Sequence, residues 1–553
     1  MKKAFNLLLF LLPISTCLMG QVGWKFSTSD NSILKRNHIE SLSNGSFFRL
    51  STADTLSPSC YSLTLIDSSG TTLNQIELCI ADSNPKVIAF TLDTITQRLC
   101  VTEQSESSSA YYMHLKVFDF NLNSMDSLTW GVTKSSSLGV DVFAGGIDTA
   151  NNKFIVYRSK DMFDQMWNRS ICRKNAAGVI KNNSVKIGQA ANDGFYINEV
   201  VISPTGNIYI AGTRKESLYG NYFYLERVNA NFTTIFEVKD QYVLNSIENN
   251  HVSSIHLSNA TANSPIIVGG TMFGLAPGDT VYRCHGVIRT YSANGMMRWN
   301  FQNYEVRDYK KVMARHTYVY AAGTNNKFAS GLDTKISRLF LKDGVVDWHR
   351  YYGNKSTPLC LQVEADKSLL IGGEKQSNVT LPSGSILTIR SFMLLRYSKT
   401  GKRLYDYDHS WDVSNETSSI QGAITDIATG YNQYYYIAGT NRIVKNISGT
   451  NTTFDSTTVI QFTNGSMRTG EYIATEVTLN LRPNPAKSSI LFTCENQVTD
   501  LVIYSMAGQK MKTESINQEG INYSCDIQHL SPGTYVLRVM ANKTWYTSKF
   551  IKE

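Results

Sequence analysis

The chain has 553 residues, which is too many for one ordinary domain unless that domain is built from repeats. Hydrophobic residues make up 42% and charged residues 18%, a balance that excludes a disordered chain. The formal charge of +8 comes from scattered Lys and Arg, so no nucleic-acid partner is expected. The 30 Tyr and 24 Phe, set among Ser, Thr, Asn and Gly, are typical of a β-rich protein.

Residues 1–20 have the layout of a secretory signal peptide. Two Lys precede a short apolar run and a Pro, and small residues follow, so we expect cleavage between Gly20 and Gln21. The alternative is a lipoprotein anchor at Cys17, but the residue before it is larger than such sites prefer. No later segment has the roughly 18 continuous apolar residues of a spanning helix, so no transmembrane helix is expected.

A short phrase recurs through residues 21–468. It reads "IYIAGT" at 208–213, and the same pattern returns as "IIVGGT", "VYAAGT", "LLIGGE" and "YYIAGT". Weaker copies are "NGSFFRLST" (44–52), "TQRLCVTE" (96–103) and "NNKFIVYRS" (151–159). Each copy follows a short strand-like segment and precedes a hairpin pattern with a polar turn, which predicts four strands per unit.

Eight such units at intervals of roughly 50 to 65 residues predict an all-β protein whose sheets stack radially. We therefore expect a seven- or eight-bladed β-propeller over residues 21–468, with eight units counted. A pair of β-sandwiches is the alternative. The Ala and Gly residues of the phrase are expected near the centre, where backbones approach. The segment "VGWKF" (22–26) resembles a closing strand and could complete a blade with the far end of the repeats.

Eight Cys remain after signal cleavage, in a compartment that permits disulfides. A tight turn near residue 70 would place Cys60 directly opposite Cys79, at a spacing that suits a disulfide. Cys494 and Cys525 are a second candidate pair. The alternative is free, buried thiols. No C-x-x-C pair occurs, so a Cys zinc site is not expected.

The repeats contain no motif of known catalytic or metal chemistry: H-E-x-x-H, G-x-S-x-G and the EF-hand loop are all missing. We therefore expect no catalytic residues, no metal and no cofactor. The residues that could in principle form an acid/base pair or stack on sugars are Asp161 and Asp164, Asp406 and Asp408, and Trp167 and Trp411. The sequence favours a binding scaffold for an unidentified glycan or protein. The alternative is a secreted hydrolase or lyase that acts on polysaccharide or peptide.

After a linker at 469–480, residues 481–553 show the strand and turn pattern of a small β-sandwich. Its segments are "PNPAKSSILF" (483–492), "VIYSMAGQKM" (502–511), "HLSPGTYVLRV" (529–539) and "KFIKE" (549–553). Together they resemble the type A C-terminal sorting domain of the type IX (Por) secretion system of Bacteroidetes. The positions that carry the resemblance are Pro483, Asn484, Pro485, Gly508, Leu530, Gly533 and Tyr535.

The resemblance implies a route of delivery. In that family the signal peptide leads to the periplasm, and the outer-membrane translocon then recognises the C-terminal domain. A surface transpeptidase usually removes this domain and attaches the cargo to lipopolysaccharide, although some cargoes are released. The resemblance therefore implies a secreted or cell-surface protein, with the cut near residues 469–480.

Overall fold

The computed structural model describes residues 22–29, 38–41, 46–52, 60–67, 71–79, 83–93, 97–187, 193–216, 220–240, 250–258, 264–275, 280, 282–325, 333–353, 355–407, 409, 413–429, 434–447, 450–463, 477–478, 481–493, 498–505, 511, 516–519, 522–541 and 544–553. These residues form strands and turns, and no helix occurs among them. Accordingly, the described part of the chain has no helix that could cross a membrane. The chain divides into two compact units, residues 1–469 and 470–553.

The first unit consists of eight groups of four antiparallel strands, called blades 1 to 8 in chain order. One parallel pair, Arg390 with Gln421, joins blades 7 and 8 into a single eight-stranded sheet. The first strand of the chain, β1 (Val22–Ser29), belongs to blade 8. Blades 1 to 4 each use four consecutive strands. Blade 1 consists of β2 (His38–Ser41), β3 (Phe47–Thr52), β4 (Cys60–Ile66) and β5 (Thr72–Cys79), and blade 2 consists of β6 (Ser83–Asp93), β7 (Arg98–Glu106), β8 (Ala110–Asp119) and β9 (Ser124–Thr133). Blade 3 consists of β10 (Ser137–Ile147), β11 (Lys153–Asp161), β12 (Trp167–Lys174) and β13 (Ile180–Ile187). Blade 4 consists of β14 (Gly194–Ile202), β15 (Ile208–Glu216), β16 (Gly220–Val228) and β17 (Thr234–Asp240).

Blades 5 to 7 repeat this arrangement, and blade 8 combines three late strands with β1. Blade 5 consists of β18 (His251–Leu257), β19 (Ile266–Leu275), β20 (Tyr282–Tyr291) and β21 (Met297–Asn303), and blade 6 consists of β22 (Val306–Arg315), β23 (Tyr318–Asn325), β24 (Thr334–Phe340) and β25 (Val346–Tyr352). Blade 7 consists of β26 (Thr357–Val363), β27 (Leu369–Thr380), β28 (Ile386–Tyr397) and β29 (Arg403–Tyr407). The late strands of blade 8 are β30 (Thr417–Thr429), β31 (Tyr434–Ile447) and β32 (Thr450–Thr463).

The blades close into a ring. The first strand of each blade contacts the first strands of both neighbouring blades, and β30 of blade 8 contacts β2 of blade 1. These first strands are therefore the innermost ones. β1 pairs antiparallel with β32, with Val22 opposite Phe462 and Ser29 opposite Ser456. The eight-bladed propeller and the pairing of "VGWKF" with the end of the repeats are thus confirmed, and the two-sandwich alternative is wrong because the contacts are cyclic.

The recurring "IYIAGT" phrase lies on the second strand of the blade, beside the innermost strand. In blades 2 to 8 the innermost strand has a β-bulge at one common register, as between Ile197 and Glu199. The phrase glycine faces this bulge. A Cβ on Gly212 would lie 1.9 Å from the carbonyl oxygen of Tyr196, and one on Gly270 would lie 2.1 Å from that of His251. At these glycines the carbonyl group leaves no room for a side chain unless the backbone shifts, whereas blades 2 and 3 have Glu103 and Tyr157 at the same register.

The two ends of the propeller differ. Because the strands alternate in direction, the turns between first and second and between third and fourth strands lie at one end, which we call the turn end. The connections between second and third strands and between blades lie at the other, the loop end. The connections between blades range from residues 304–305 to residues 241–250. Variable loops on a constant scaffold are the usual position of binding sites in repeat folds.

The second unit contains two small sheets. One has the order β33 (Val477–Thr478), β39 (Thr544–Lys552), β38 (Gly533–Ala541), β35 (Val498–Ser505), and the other has the order β34 (Ser489–Thr493), β37 (Asn522–Asp526), β36 (Ile516–Glu519). Buried residues of both sheets pack into one core that includes Ile490, Phe492, Ile503, Leu537 and Phe550. The arrangement is the expected β-sandwich.

Candidate functional site

The bulges of the innermost strands build a belt of hydrogen bonds around the central channel. In three blades the residue after the bulge, which is Glu199, Ser254 or Asp426, accepts a bond from a main-chain N–H of the next blade. Glu199 Oε2 accepts from Ile255 N at 2.7 Å, and Asp426 Oδ2 accepts from Ile39 N at 3.3 Å. The latter bond joins blade 8 to blade 1. The side chains of the belt therefore satisfy the edge amides that a propeller leaves at its centre.

A salt bridge along this belt joins two blades that are separated by a third blade. Lys311 Nζ of blade 6 lies 3.1 Å from Glu199 Oε1 of blade 4, past blade 5, whose residue at the same register is the small Ser254. Both charged side chains are partly exposed, so the channel wall here is wet and polar. Glu199 therefore uses one oxygen for a main-chain amide and the other for an ammonium group.

A second charged group lies on blades 5 and 6 near the loop end. Asp308 is buried, accepts a hydrogen bond from Ser253 Oγ at 2.8 Å, and lies 2.5 Å from Lys310 Nζ and 3.3 Å from His251 Nε2. Burial alone would raise the pKa of Asp308, but the His251 and Lys310 partners hold this pKa well below its usual range. A carboxylate that stays ionised at all ordinary pH values is suited to holding these strands and unsuited to general-acid catalysis.

The described carboxylates of the channel do not form an acid/base pair. Glu199 belongs to blade 4 and Asp426 to blade 8, which are half a turn apart in a ring of eight. No cluster of three or more His, Cys, Asp or Glu that could hold a metal occurs among the residues that the structure describes. Glycosidase chemistry needs two carboxyl groups within about 10 Å of one sugar ring, and the positions of Glu199 and Asp426 do not suggest it.

The aspartates named from the sequence have structural partners. Asp161 accepts hydrogen bonds from the main-chain N–H groups of Phe163 and Asp164, and Asp164 pairs with Lys186, which lowers the pKa of Asp164. Asp406 accepts from Lys375 Nζ at 3.0 Å and from the Tyr352 hydroxyl at 3.1 Å. Asp408 and Trp411 lie outside the described residues.

Trp167 belongs to an aromatic group around Arg158, between blades 3 and 4. The Arg158 guanidinium carbon lies 4.0 Å from the centre of the Trp167 ring and 5.3 Å from that of Tyr196. Its Nε donates to Asp141 Oδ2 at 2.8 Å. Stacking and the ion pair together fix the orientation of both rings.

Exposed apolar side chains also lie at the loop end of blades 3 and 4. Phe163, in the connection between β11 and β12, is 87% exposed, and Leu138, Met162 and Tyr196 are also exposed. Met162 N donates to Ser136 O at 3.1 Å, which holds this connection against the start of β10. We call Leu138, Met162, Phe163 and Tyr196 the loop-end patch. Trp167 could be named from the sequence but the patch could not, because the exposure of a side chain depends on which loop packs against which strand.

The structure describes three of the four cysteines for which disulfides are predicted. The strand register places Cys60 directly opposite Cys79, as the turn argument requires. Cys525 is a buried free thiol in the sandwich, and Cys494 lies outside the described residues. Cys100, Cys172 and Cys360 are also buried free thiols. The disulfide between Cys60 and Cys79 stays a prediction.

The sorting-motif residues have identifiable places in the sandwich. Leu530 is part of the core, and the Tyr535 hydroxyl donates to Ser531 O at 2.9 Å while its ring stacks on Phe550. Asn484 bonds to the last strand, β39. Pro483 and Pro485 flank it on the surface, and Gly533 begins β38. Gly508, Gly20 and Gln21 lie outside the described residues.

Comparison with known proteins adds one family and several distant folds. Residues 480–553 match the family model of the secretion system C-terminal sorting domain. No curated protein matches the chain significantly. Among solved structures, the WD40 domain of SCAP from fission yeast has a TM-score of 0.41 at 10% identity and covers 80% of this chain and 98% of that one.

Two further solved structures are similarly distant. Quinohemoprotein alcohol dehydrogenase from Comamonas testosteroni has a TM-score of 0.40 at 9% identity, over 81% of this chain and 77% of that one. The β-propeller domain of the Trilobed protease from Pyrococcus furiosus has a TM-score of 0.34 at 9% identity, over 67% and 97%. Structural similarity at this level does not assign an activity to this chain. The family match and the sandwich together establish how the protein is delivered: residues 480–553 are a C-terminal sorting domain of the type IX secretion system, and the protein is a secreted cell-surface protein with a β-propeller before that domain.

Proposed function

We propose that the propeller is a non-enzymatic binding module that holds a protein partner at the cell surface through the loop-end patch. The observation that carries this proposal is the exposure of Phe163, at 87%, together with that of Leu138, Met162 and Tyr196 at the same end of blades 3 and 4. Contiguous apolar side chains on a soluble surface mark sites of interaction. A protein is favoured over a glycan because flexible Met and Leu side chains next to a protruding Phe suit an apolar cleft, whereas sugars favour flat, rigid rings.

The test uses the mature full chain and two variants. Surface-protein extracts and a glycan array are probed with the wild type, with Phe163→Ser and with Met296→Ser. Met296 is 68% exposed but lies at the turn end, so it controls for the loss of an exposed apolar side chain. We expect one protein to be retained by the wild type and by Met296→Ser, and about tenfold less of it by Phe163→Ser. Equal retention by both variants, or binding of a glycan alone, would contradict the proposal.

We infer from the sorting domain that the outer-membrane translocon exports the chain and that a surface transpeptidase then acts on it. We expect the cut in the linker at 469–480. Mass spectrometry of the surface form would identify its last residue. A surface form that retains residues 481–553 would contradict removal of the sorting domain.

A further inference from the structure

The outermost strand of blade 3, β13, differs in register from the outermost strands of the other blades. In each of those seven blades the outermost strand has a register shift against its neighbour, with Leu73 as the extra residue in blade 1 and Leu404 in blade 7. β13 pairs with β12 over all eight of its residues without a shift. Because a bulge bends an edge strand and interrupts its pairing, β13 is the outermost strand with an unbroken edge in the described part of the chain.

β13 also lacks an aromatic residue that the later blades have. Directly after the bulge of the outermost strand, blades 4 to 7 have an aromatic side chain: Phe236, Trp299, Trp348 and Tyr405. The first three of these rings pack against the turn of the following blade. Blade 3 has Lys181 in the equivalent pair. Six of the eight residues of β13 are consequently exposed, on both faces of the strand.

The outer edge of β13 has main-chain groups that point away from β12. Asn175 N donates to Val179 O at 3.0 Å, so these two residues form a hydrogen-bonded pair. Such pairs alternate along an antiparallel ladder, and the residues that bond to β12 are therefore Lys181, Asn183, Val185 and Ile187. The residues whose N–H and C=O groups point outward are Ile180, Asn182, Ser184 and Lys186. In the part of the chain that the structure describes, no strand covers this edge.

The side chains beside this edge favour an acidic occupant. Lys181 lies directly opposite Arg173 of β12, and neither cation has a carboxylate partner among the described residues. Arg173 donates instead to the main-chain oxygen of Ala230 and lies over the ring of Phe232. A second copy of β13 would not neutralise Lys181, because residues 180–187 contain two Lys and no Asp or Glu.

We propose that β13 is a docking edge for an extended, acidic segment of a partner protein, which adds to blade 3 as a fifth, antiparallel strand. Strand addition takes affinity from main-chain hydrogen bonds and specificity from alternate side chains. Lys181 and Val185 lie on one face of β13, so the segment has a carboxylate opposite Lys181 and an apolar side chain opposite Val185. This edge is a second binding surface, and it does not depend on the loop-end patch.

The charge preference is tested with the mature full chain and two immobilised peptides. In TTVTTTETT, antiparallel pairing places the Val opposite Val185 and the Glu opposite Lys181, and TTVTTTKTT is the matched control. We expect the wild type to bind the Glu peptide about fivefold more tightly than the Lys peptide. Lys181→Glu should reverse this preference. A wild type that binds neither peptide or both equally, or a Lys181→Glu variant that still prefers the Glu peptide, would overturn the proposal.

The edge itself is tested with Ser184→Pro. The N–H of Ser184 points outward, so proline removes a donor to the added strand and none to β12. Ser184→Thr keeps this N–H and is the control, and the melting temperature of each purified variant reports on its fold. We expect Ser184→Pro to bind the Glu peptide about tenfold more weakly and Ser184→Thr to bind it as the wild type does. A folded Ser184→Pro that binds like Ser184→Thr would contradict strand addition.

Amide hydrogen exchange of the wild type gives a readout that needs no variant. The Glu peptide should slow exchange of the outward amides of Asn182 and Ser184 by about fivefold or more, because each gains an acceptor. The amides of Asn183 and Val185 already bond to β12 and should change little. Bound peptide without this alternation would overturn the proposal. Because the readouts are peptide binding and β13 amides, they are separate from the result for Phe163→Ser.

Discussion

Glu103 is a buried carboxyl group on β7, at the register position where blades 4 to 8 have the phrase glycine. Its side chain is 0% exposed, and neither carboxylate oxygen has a hydrogen-bond partner among the described residues. Lys116 Nζ lies 3.0 Å from Oε1 but is not aligned for a hydrogen bond. Burial raises the pKa of Glu103 to about 7, and the nearby Lys116 offsets only part of this rise.

This raised pKa predicts a fall in stability as the pH rises. An unfolded Glu loses its proton near pH 4.3, whereas folded Glu103 keeps it until about pH 7. The folded state therefore binds the proton more tightly, and the free energy of unfolding decreases between these pH values, by an amount on the order of 3 kcal/mol. Glu103→Gln should remove this decrease.

Urea unfolding from about pH 4 to pH 8 measures the effect. Glu77→Gln, which changes an exposed carboxylate on β5, is the control and should leave the pH profile of the wild type unchanged. If the profile of Glu103→Gln runs parallel to that of the wild type, the carboxyl group is not the cause of the fall.

At the scale of elements, the turns between third and fourth strands fit several blades to the one before them. Gly295, Gly344 and Gly401 have positive φ, and an aromatic ring of the preceding blade occupies the space of a side chain at each. These rings belong to Phe236, Trp299 and Trp348, respectively. In blade 2 the turn residue is Leu122, which also has positive φ and packs into blade 1. At these four junctions one side or the other supplies the apolar group, whereas Gly178 in the corresponding turn of blade 3 has no neighbour within 4 Å.

The contact predicts different costs for two otherwise similar substitutions. Gly295 and Gly178 both have φ of +83°, but a Cβ on Gly295 would lie 2.5 Å from Phe236 whereas one on Gly178 would meet nothing within 4 Å. Gly178→Ala should cost about 1 kcal/mol for the left-handed backbone alone. Gly295→Ala should cost roughly 1 to 3 kcal/mol more, because the ring must move.

Denaturant unfolding of both variants measures this difference. Phe236→Ala removes the ring, so in that background Gly295→Ala should cost no more than Gly178→Ala does in the wild type. A Gly295→Ala cost that is unaffected by Phe236→Ala would show that the ring is not responsible.

At the scale of the whole molecule, the ring depends on a strand from the far end of the sequence. β1 covers the edge of β32, so blade 8 has its fourth strand only when Val22–Ser29 returns to Thr450–Thr463. Without it, β32 would present an open edge beside the junction of blades 8 and 1, where Phe47 stacks on Tyr436. Open edges of sheets pair with other chains.

Removal of residues 22–29 from the mature chain should therefore lower the melting temperature and produce dimers or larger species. Size-exclusion chromatography and thermal unfolding measure both effects. A synthetic peptide of residues 21–30 should bind the shortened protein and restore the wild-type values, whereas a scrambled peptide should not. A shortened protein that stays monomeric with an unchanged melting temperature would exclude this closure.

Features that neighbouring residues encode could be predicted from the sequence. Strand alternation, turn residues and the spacing of the "AGT" phrase predicted seven or eight blades, because blades 1 to 7 each fold from consecutive residues. The choice between seven and eight depended on the pairing of β1 with β32. The motif around Pro483 and Tyr535 identified the sorting domain, since its segments are short and contiguous.

Only the tertiary structure decided which side chains meet. Glu199 and Lys311 are 112 positions apart, and their pairing depends on a bulge that turns both toward the channel and on a small Ser254 between them. The residue after the bulge stands at a fixed position relative to the phrase glycine. Glu199 and Asp426 could therefore have been named from the sequence as channel residues, but their partners could not. Likewise, the role of the phrase glycine follows from a carbonyl group of the adjacent strand, and that contact exists only after the strands have paired.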